Sequence, residues 1–250
     1  MIEAIDISKA FGDTRILDKI SATFEPGKTN LIIGQSGSGK TVFLKCIIGL
    51  HQPTSGEVIF DDVTFNKLSS SEQKKIRMKM GVMFQGGALF DSETVEQNVM
   101  YPLDMFTDMT LEEKKERVNF CLNRVNIIKA NQLYPSEISG GMKKRVALAR
   151  AIALNPKYLF CDEPNSGLDP KTAIVIDYLI KEITEEFNTT TIVNTHDMNS
   201  VMEIGAKVIF IHKGQKFWEG SNKDILHTDN KELNEFVFAN NLAKQLKKFN

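Results

Sequence analysis

Cysteine is scarce in this sequence. The three residues, Cys46, Cys121 and Cys161, are scattered and odd in number, with no CxxC spacing and no His/Cys cluster. That argues against a disulfide framework or a zinc site and points to a reducing compartment. An excess of charge of one sign is also missing. Lys+Arg 31 against Asp+Glu 32 leave a formal net charge of -1, which argues against a chain built mainly to coat nucleic acid. No apolar run approaches the roughly 18 residues of a membrane-spanning helix, so a membrane role has to come through a partner or a peripheral contact. Met1-Ile2-Glu3-Ala4-Ile5-Asp6 carries acids where a secretory leader has a basic flank and an apolar run, so no signal peptide is expected. Internal repeats and low-complexity segments are absent too. What is present is the composition of an ordinary soluble globular protein: 250 residues, 42% hydrophobic and 25% charged, enough for one large domain or two small ones.

Patterning along the chain alternates between two periods. Ile2 to Ile7, Thr29 to Ile33, Glu57 to Phe60, Gly81 to Phe84, Tyr158 to Cys161, Thr190 to Asn194 and Lys207 to Ile211 read as strands. Residues 40–50, 110–128, Ser139 to Leu154, 171–187 and 197–204 read as helices, the third stopped by Asn155-Pro156. Strands alternating with helices imply an α/β fold whose mostly parallel sheet is covered on both faces. The middle of the chain, about 85–155, has almost no strand signal and reads as a helical insertion. Beyond 231 an amphipathic helical tail is expected, with Leu233, Phe236, Val237, Leu242 and Leu246 on its apolar side and Lys244, Lys247 and Lys248 among its basic positions.

The segment Gly34-Gln35-Ser36-Gly37-Ser38-Gly39-Lys40-Thr41 fits GxxxxGK[ST], between a strand and a helix, which is the context such a loop needs. Glycines let backbone N–H groups curl around phosphate oxygens without Cβ clashes. The helix that follows adds the partial positive charge of its N-terminus. Lys40 is expected to reach the terminal phosphates and the Thr41 hydroxyl to ligate Mg²⁺. A second pattern lies at the end of an apolar strand, where Asp162-Glu163 follows Tyr158 to Cys161. Ligands of open parallel sheets sit at the carboxyl ends of strands. Asp162 is expected in the magnesium shell, and Glu163 as the general base that polarises the attacking water. Alone, such a pair is more often two solvated acids; beside a phosphate loop the chemical reading prevails.

A third segment discriminates among nucleotide-hydrolysing families. Ser136 to Ala151 contains Ser139-Gly140-Gly141, with Ser139 a good N-cap and the glycines opening a helix. In order along the chain, these motifs resemble those of the ATP-binding cassette ATPases, the motor subunits of ABC transporters, over about residues 2–225. The resemblance implies a P-loop NTPase fold of RecA-like type, with an antiparallel β edge and a helical subdomain. It assigns 1–84 and 156–226 to the nucleotide-binding core, 85–155 to the helical signature subdomain and 227–250 to the tail. It implies that Phe11 stacks on adenine, and that Gly34, Ser36, Gly37, Ser38, Gly39, Lys40 and Thr41 hold phosphate. It makes Gln85 the Q-loop glutamine touching Mg²⁺ and water, Ser139, Gly140 and Gly141 the signature, and Ser166-Gly167-Leu168-Asp169 the D-loop, with Asp169 in the nucleotide-binding set. His196 matches the switch histidine. The cofactors implied are ATP and Mg²⁺. The partners implied are a second copy, paired head to tail around ATP, and transmembrane permease subunits.

Departures from the common pattern narrow the resemblance. Met142 stands where a glutamine is usual, Gly167 where an alanine is usual, and Asn165 precedes the D-loop. Met142, the run Phe84 to Phe90 and the run Asn98 to Leu103 are similar to the ATPases of MCE-linked, Mla-type phospholipid transporters. That implies an MCE-domain partner, an accessory cytoplasmic subunit as a further candidate for the tail, and a place on the cytoplasmic face of the inner membrane, peripheral through partners. Two alternatives stay open: the ATPase of an ABC transporter for another substrate, or a soluble ABC-type ATPase in cofactor assembly, translation or DNA repair. An apolar groove beside Gln85, fit for a partner helix, separates transporter from soluble protein. Lys143-Lys144-Arg145 is read as a solvated helix face rather than a nucleic-acid patch. Met78, Met80, Met83, Met100, Met105 and Met109 fit partner contact and core filling equally well.

Overall fold

The computed structural model describes residues 1–237. The chain opens with strands β1 (Ile2–Phe11), β2 (Thr14–Phe24) and β3 (Thr29–Ile33), followed by helix α1 (Lys40–Ile47) and strands β4 (Ser55–Phe60) and β5 (Val63–Thr64). Next come α2 (Ser70–Arg77), β6 (Met80–Met83), α3 (Val95–Phe106), α4 (Leu111–Arg124) and α5 (Gly140–Ala151). The remainder is β7 (Tyr158–Asp162), α6 (Pro170–Glu186), β8 (Thr190–Thr195), α7 (Met198–Ile204), β9 (Lys207–His212), β10 (Gln215–Gly220) and α8 (Lys231–Val237). These elements divide into two compact units, one of Met1–Glu25, Thr29–Lys67 and the described residues from Asn194, the other of Pro26–Lys28 and Leu68–Val193.

The first unit holds an antiparallel sheet in the order β2-β1-β4-β5 and a second run of strands in the order β10-β9-β3. Strands β3 and β9 pair in parallel from Asn30 opposite Lys207 to Ile33 opposite Phe210, and β10 lies antiparallel on β9 as an edge. All five residues of β3 are buried, as expected of a central strand covered on both faces. Helix α1 buries Phe43, Leu44 and Ile47, each contributing roughly 1.5–3 kcal/mol of burial. Helix α8 buries Leu233 and Val237 and sets Phe236 5.5 Å from the Phe210 ring. Leu242, Lys244, Leu246, Lys247 and Lys248 of the expected tail lie outside the described residues.

In the second unit the strand order is β8-β7-β6, with β6 and β7 parallel. Helices α3, α4 and α5 pack on one another. Each starts at a side-chain cap: Thr94 with Gln97, Thr110 with Glu113, and Ser139 alone. Reciprocal capping of this kind satisfies donors that a helix start otherwise leaves unmet. Asn98, fully buried, accepts from Phe90 N at 2.8 Å and donates to the carbonyls of Phe90, Glu93 and Thr94, each at 3.0 Å. One side chain thereby fixes the loop that leads into α3.

The parallel central strands are those read from the alternating periods, and the antiparallel edge is the one the resemblance implies, although several element bounds shift. The helix read over 110–128 stops at Arg124, because Asn126 and Lys129 take left-handed backbone, φ 57 and 58. Strand β2 goes unread for a physical reason. A bulge at Lys19, φ 48, puts Leu17 and Ile20 on the same buried face, so strict alternation fails. Helix α2 has no fully buried residue; its start is held by the Ser69–Glu72 capping box and by the Gln73 Nε2 bond to Leu68 O at 3.2 Å. The solvated face read for Lys143-Lys144-Arg145 is overturned at two of three positions. Lys144 is buried, and Arg145 donates to the carbonyls of Val125 at 3.3 Å and Asn126 at 2.7 Å. The methionines divide: Met80, Met83 and Met100 are core, while Met78, Met105 and Met109 are exposed. Burial raises the thiol pKa of all three cysteines, to about 11 for Cys46 and Cys121, so none is a ready nucleophile.

Candidate functional site

In the first unit, β3 runs into Gly34 and the loop closes on α1. Lys40 lies inside this loop, 6% exposed, and its Nζ donates to the carbonyls of Gly34 at 2.8 Å and Gln35 at 3.1 Å. Ser38 N donates to Gln35 O at 3.1 Å, and Gly214 N to Ser38 O at 3.0 Å, so the turn is braced from within and from the β9–β10 turn. Two glycines are dictated by space and backbone together. A Cβ on Gly34 would lie 2.2 Å from Ile211 O and 2.8 Å from Ser38 Oγ; one on Gly39, φ 106, would lie 2.8 Å from Leu17 Cδ2. Gly39 also caps α1 without a side-chain bond and no acid stands in the first turn, so the amides and dipole at that end suit an anion. Ser38 Oγ is buried and, among the described residues, has no hydrogen-bond partner. A desolvated hydroxyl in a cradle that side chains cannot fill fits a phosphate ligand. Thr41 follows, half-buried.

The same unit carries Phe11 and His196. Phe11 ends β1 with its ring exposed, His51 edge-on at 5.3 Å and Lys9 Nζ 4.7 Å from the centroid. His196 is exposed between β8 and α7, next to Asp197, which caps α7 through Asn199 N at 2.9 Å.

The second unit carries the acids and the remaining loops. All five residues of β7 are buried, and the strand delivers Asp162 at its carboxyl end, 5% exposed. Glu163 takes φ 49, a left-handed conformation costing a non-glycine residue roughly 1–2 kcal/mol. Strain of this kind concentrates where a side chain must be aimed. Past it, Asn165 Nδ2 donates to Asp177 Oδ1 at 2.8 Å. Asp169 caps α6, accepting from Lys171 N and Thr172 N at 3.1 Å each and from Thr172 Oγ1 at 2.5 Å. The bond from the Thr172 hydroxyl, then that from its amide, holds the Asp169 carboxyl below the usual carboxylate range. Ser139 caps α5 through Met142 N at 3.2 Å and is exposed with Gly140; Gly141 lies beside Thr172, whose Cγ2 would be 2.5 Å from an added Cβ.

Gln85 follows β6 with an exposed side chain, while its backbone carbonyl accepts from Lys144 Nζ. Lys144 also reaches Ser166 Oγ at 3.3 Å. The basic triplet masks this residue in the sequence, yet the sequence carries a signal for it. On α5 it falls in one stripe with Ala147, Leu148 and Ala151, all buried, the i, i+3, i+4, i+7 spacing of an inward face. From the same helix, Arg150 donates to Gly87 O at 2.6 Å and Ala88 O at 2.7 Å. Beside this loop lies a largely apolar groove of about 530 Å³, lined by Met78, Phe84, Phe90, Tyr101, Phe106 and Leu154 among others. The rings of Phe90 and Tyr101 stand 4.8 Å apart on it.

Comparison with known proteins places these features in context. The family model described as ABC transporter matches residues 17–166. The chain is 39% identical to the methionine import ATP-binding protein MetN of Carboxydothermus hydrogenoformans, over 93% of this chain and 70% of that protein. It is 34% identical to a probable ribonucleotide transport ATP-binding protein, mkl, of Mycobacterium tuberculosis, over 94% of this chain and 66% of that one. Among solved structures, the dimeric post-hydrolysis state of the ATP-binding cassette MJ0796 bound to ADP and Pi superposes with a TM-score of 0.81. It is 34% identical and covers 89% of this chain and 99% of that chain.

Proposed function

The chain belongs to the ABC transporter family, and from that footing we propose that it energises phospholipid movement between membranes, with permease subunits and an MCE-domain protein as partners. It is an ABC ATPase whose cofactors are ATP and Mg²⁺. The observation that carries the nucleotide reading is the braced glycine loop around Lys40 with the unpartnered Ser38 hydroxyl.

In this reading Gly34, Ser36, Gly37, Ser38 and Gly39 cradle the phosphates and Lys40 supplies the point charge. Phe11 offers its ring to adenine. A bound magnesium ion would supply positive charge against the charge that develops on the phosphate. Thr41, Gln85 and Asp162 are its proposed ligands. Glu163 takes the proton from the attacking water, and His196 and Gln85 complete the catalytic set. Ser139, Gly140, Gly141 and Asp169 act on the nucleotide held by a second copy, in a head-to-tail dimer. The division into a nucleotide-binding core at 1–84 and 156–226, a helical part at 85–155 and a tail from 227 is part of the same proposal.

Support for a membrane partner comes from the groove. Its lining includes Phe84, Ala88, Phe90, Tyr101 and Pro102, which belong to the two runs that resemble the MCE-linked ATPases. No helix among the described residues is long and apolar enough to cross a membrane; association with the cytoplasmic side is proposed through permease subunits. A second reading, amino-acid import, is favoured by the relatives named for methionine import.

Two measurements test these levels separately. Lys40→Ala is expected to weaken ATP binding by about ten- to a hundredfold, the loss of a charge-assisted hydrogen bond of about 1.5–3 kcal/mol. Titration calorimetry reads it, and unchanged affinity would remove the phosphate-loop role. For the substrate, the native complex is solubilised from membranes. A permease and an MCE-domain protein are expected to co-purify, with ATP turnover stimulated by phospholipid. Stimulation by methionine instead decides for amino-acid import, and a chain with no membrane partner decides for a soluble ATPase.

A further inference from the structure

We propose that Lys144 is a positioning residue that ties the loop after β6 to the turn before α6, so that Gln85 and the Ser166–Asp169 turn move together. The roles of those two loops rest on the nucleotide reading above; the tie itself rests on the structure. Lys144 is 7% exposed on the inward stripe of α5. Its ammonium donates to the backbone carbonyl of Gln85 and to Ser166 Oγ, residues on two loops far apart in the chain.

An ammonium is an expensive group for that stripe. Burial lowers the Lys144 pKa, and Glu163 and then Asp162 raise it again by attraction. An apolar side chain of the same length would fill the stripe equally well and bond to neither loop. The charge therefore serves the loops rather than the core. Each loop has an anchor of its own. Arg150 holds Gly87 and Ala88 by their carbonyls, and Asp177 holds Asn165. Among these side chains Lys144 is the one that reaches both. A displacement of the Gln85 carbonyl re-aims the ammonium, and the Ser166 hydroxyl loses or follows its donor.

The test uses the full chain, with ATP turnover by the parent as the control. Lys144→Met keeps the stem and removes the donors; Lys144→Arg keeps donors. Lys144→Met is expected to lower kcat about tenfold while KM for ATP stays within about twofold, and Lys144→Arg to recover most of the loss. Without nucleotide, amide hydrogen exchange at 85–88 and at 164–168 is expected to quicken in Lys144→Met and not in Lys144→Arg, with β7 unchanged. Ser166→Ala should reduce kcat about threefold and add nothing on top of Lys144→Met, since both remove one connection. Parent-like kcat and exchange in Lys144→Met, an arginine variant as impaired as the methionine one, or additive losses would overturn the proposal. Should Lys144→Met fail to fold, Ser166→Ala decides alone: parent-like kcat and unchanged exchange at 85–88 reject the tie. A folded parent without ATP turnover rejects the nucleotide reading instead, while exchange still reports on the tie.

Discussion

Glu163→Gln is expected to bind ATP as the parent does and to hydrolyse it about a hundred- to ten-thousandfold more slowly. The substitution removes the group that accepts a proton from water and changes little else. Glutamine has the same shape, and both residues pay the same backbone penalty at φ 49, so stability should hardly differ. Calorimetry and a phosphate-release assay on the same preparation separate the two quantities. Equal hydrolysis rates in variant and parent would withdraw Glu163 as the base and leave the phosphate loop untouched. Loss of ATP binding together with turnover would show instead that the acid holds the ground state.

Ser139→Arg is expected to fold and bind ATP while losing at least about a hundredfold in hydrolysis, the scale set by removing oriented donors from a developing negative charge. Ser139 is exposed, and within its own chain its hydroxyl caps α5 through Met142 N. Losing that cap costs about 0.5–2 kcal/mol, too little to unfold a domain of this size. The larger effect comes from bulk placed where a second copy is expected to present its nucleotide. Light scattering with ATP reads the dimer, and turnover reads the chemistry. Normal turnover in Ser139→Arg removes the head-to-tail arrangement, whatever becomes of Glu163.

The elements legible in the sequence are those whose burial is regular. Strands β3 and β7 are buried along their whole length around apolar runs, and both carry a motif at their carboxyl end, so the fold class and the position of the glycine loop are legible in the residues. Strand β10 escaped because its sequence, QKFWEG, lies at an edge and none of it is fully buried. Strand β2 escaped because of its bulge, and α2 because it has no apolar side. The individual contacts of the site were less legible than its motifs. Asp162 and Glu163 stand where a strand end predicts them, but the left-handed turn at Glu163 has no signature in Asp-Glu-Pro. Lys144 is hidden in the sequence by the basic triplet it belongs to. Its three residues point in three directions around a helix, and one of them points inward.

Thr172 links two features described separately above. Its hydroxyl fastens Asp169 at the head of α6, while its methyl lies against the place where Gly141 has no side chain. Serine there would keep the fastening and leave a gap; valine would close the gap and drop the fastening. A single β-branched alcohol thus answers to both neighbours at once, and neither half of the side chain can be traded away without disturbing a different stretch of the polypeptide.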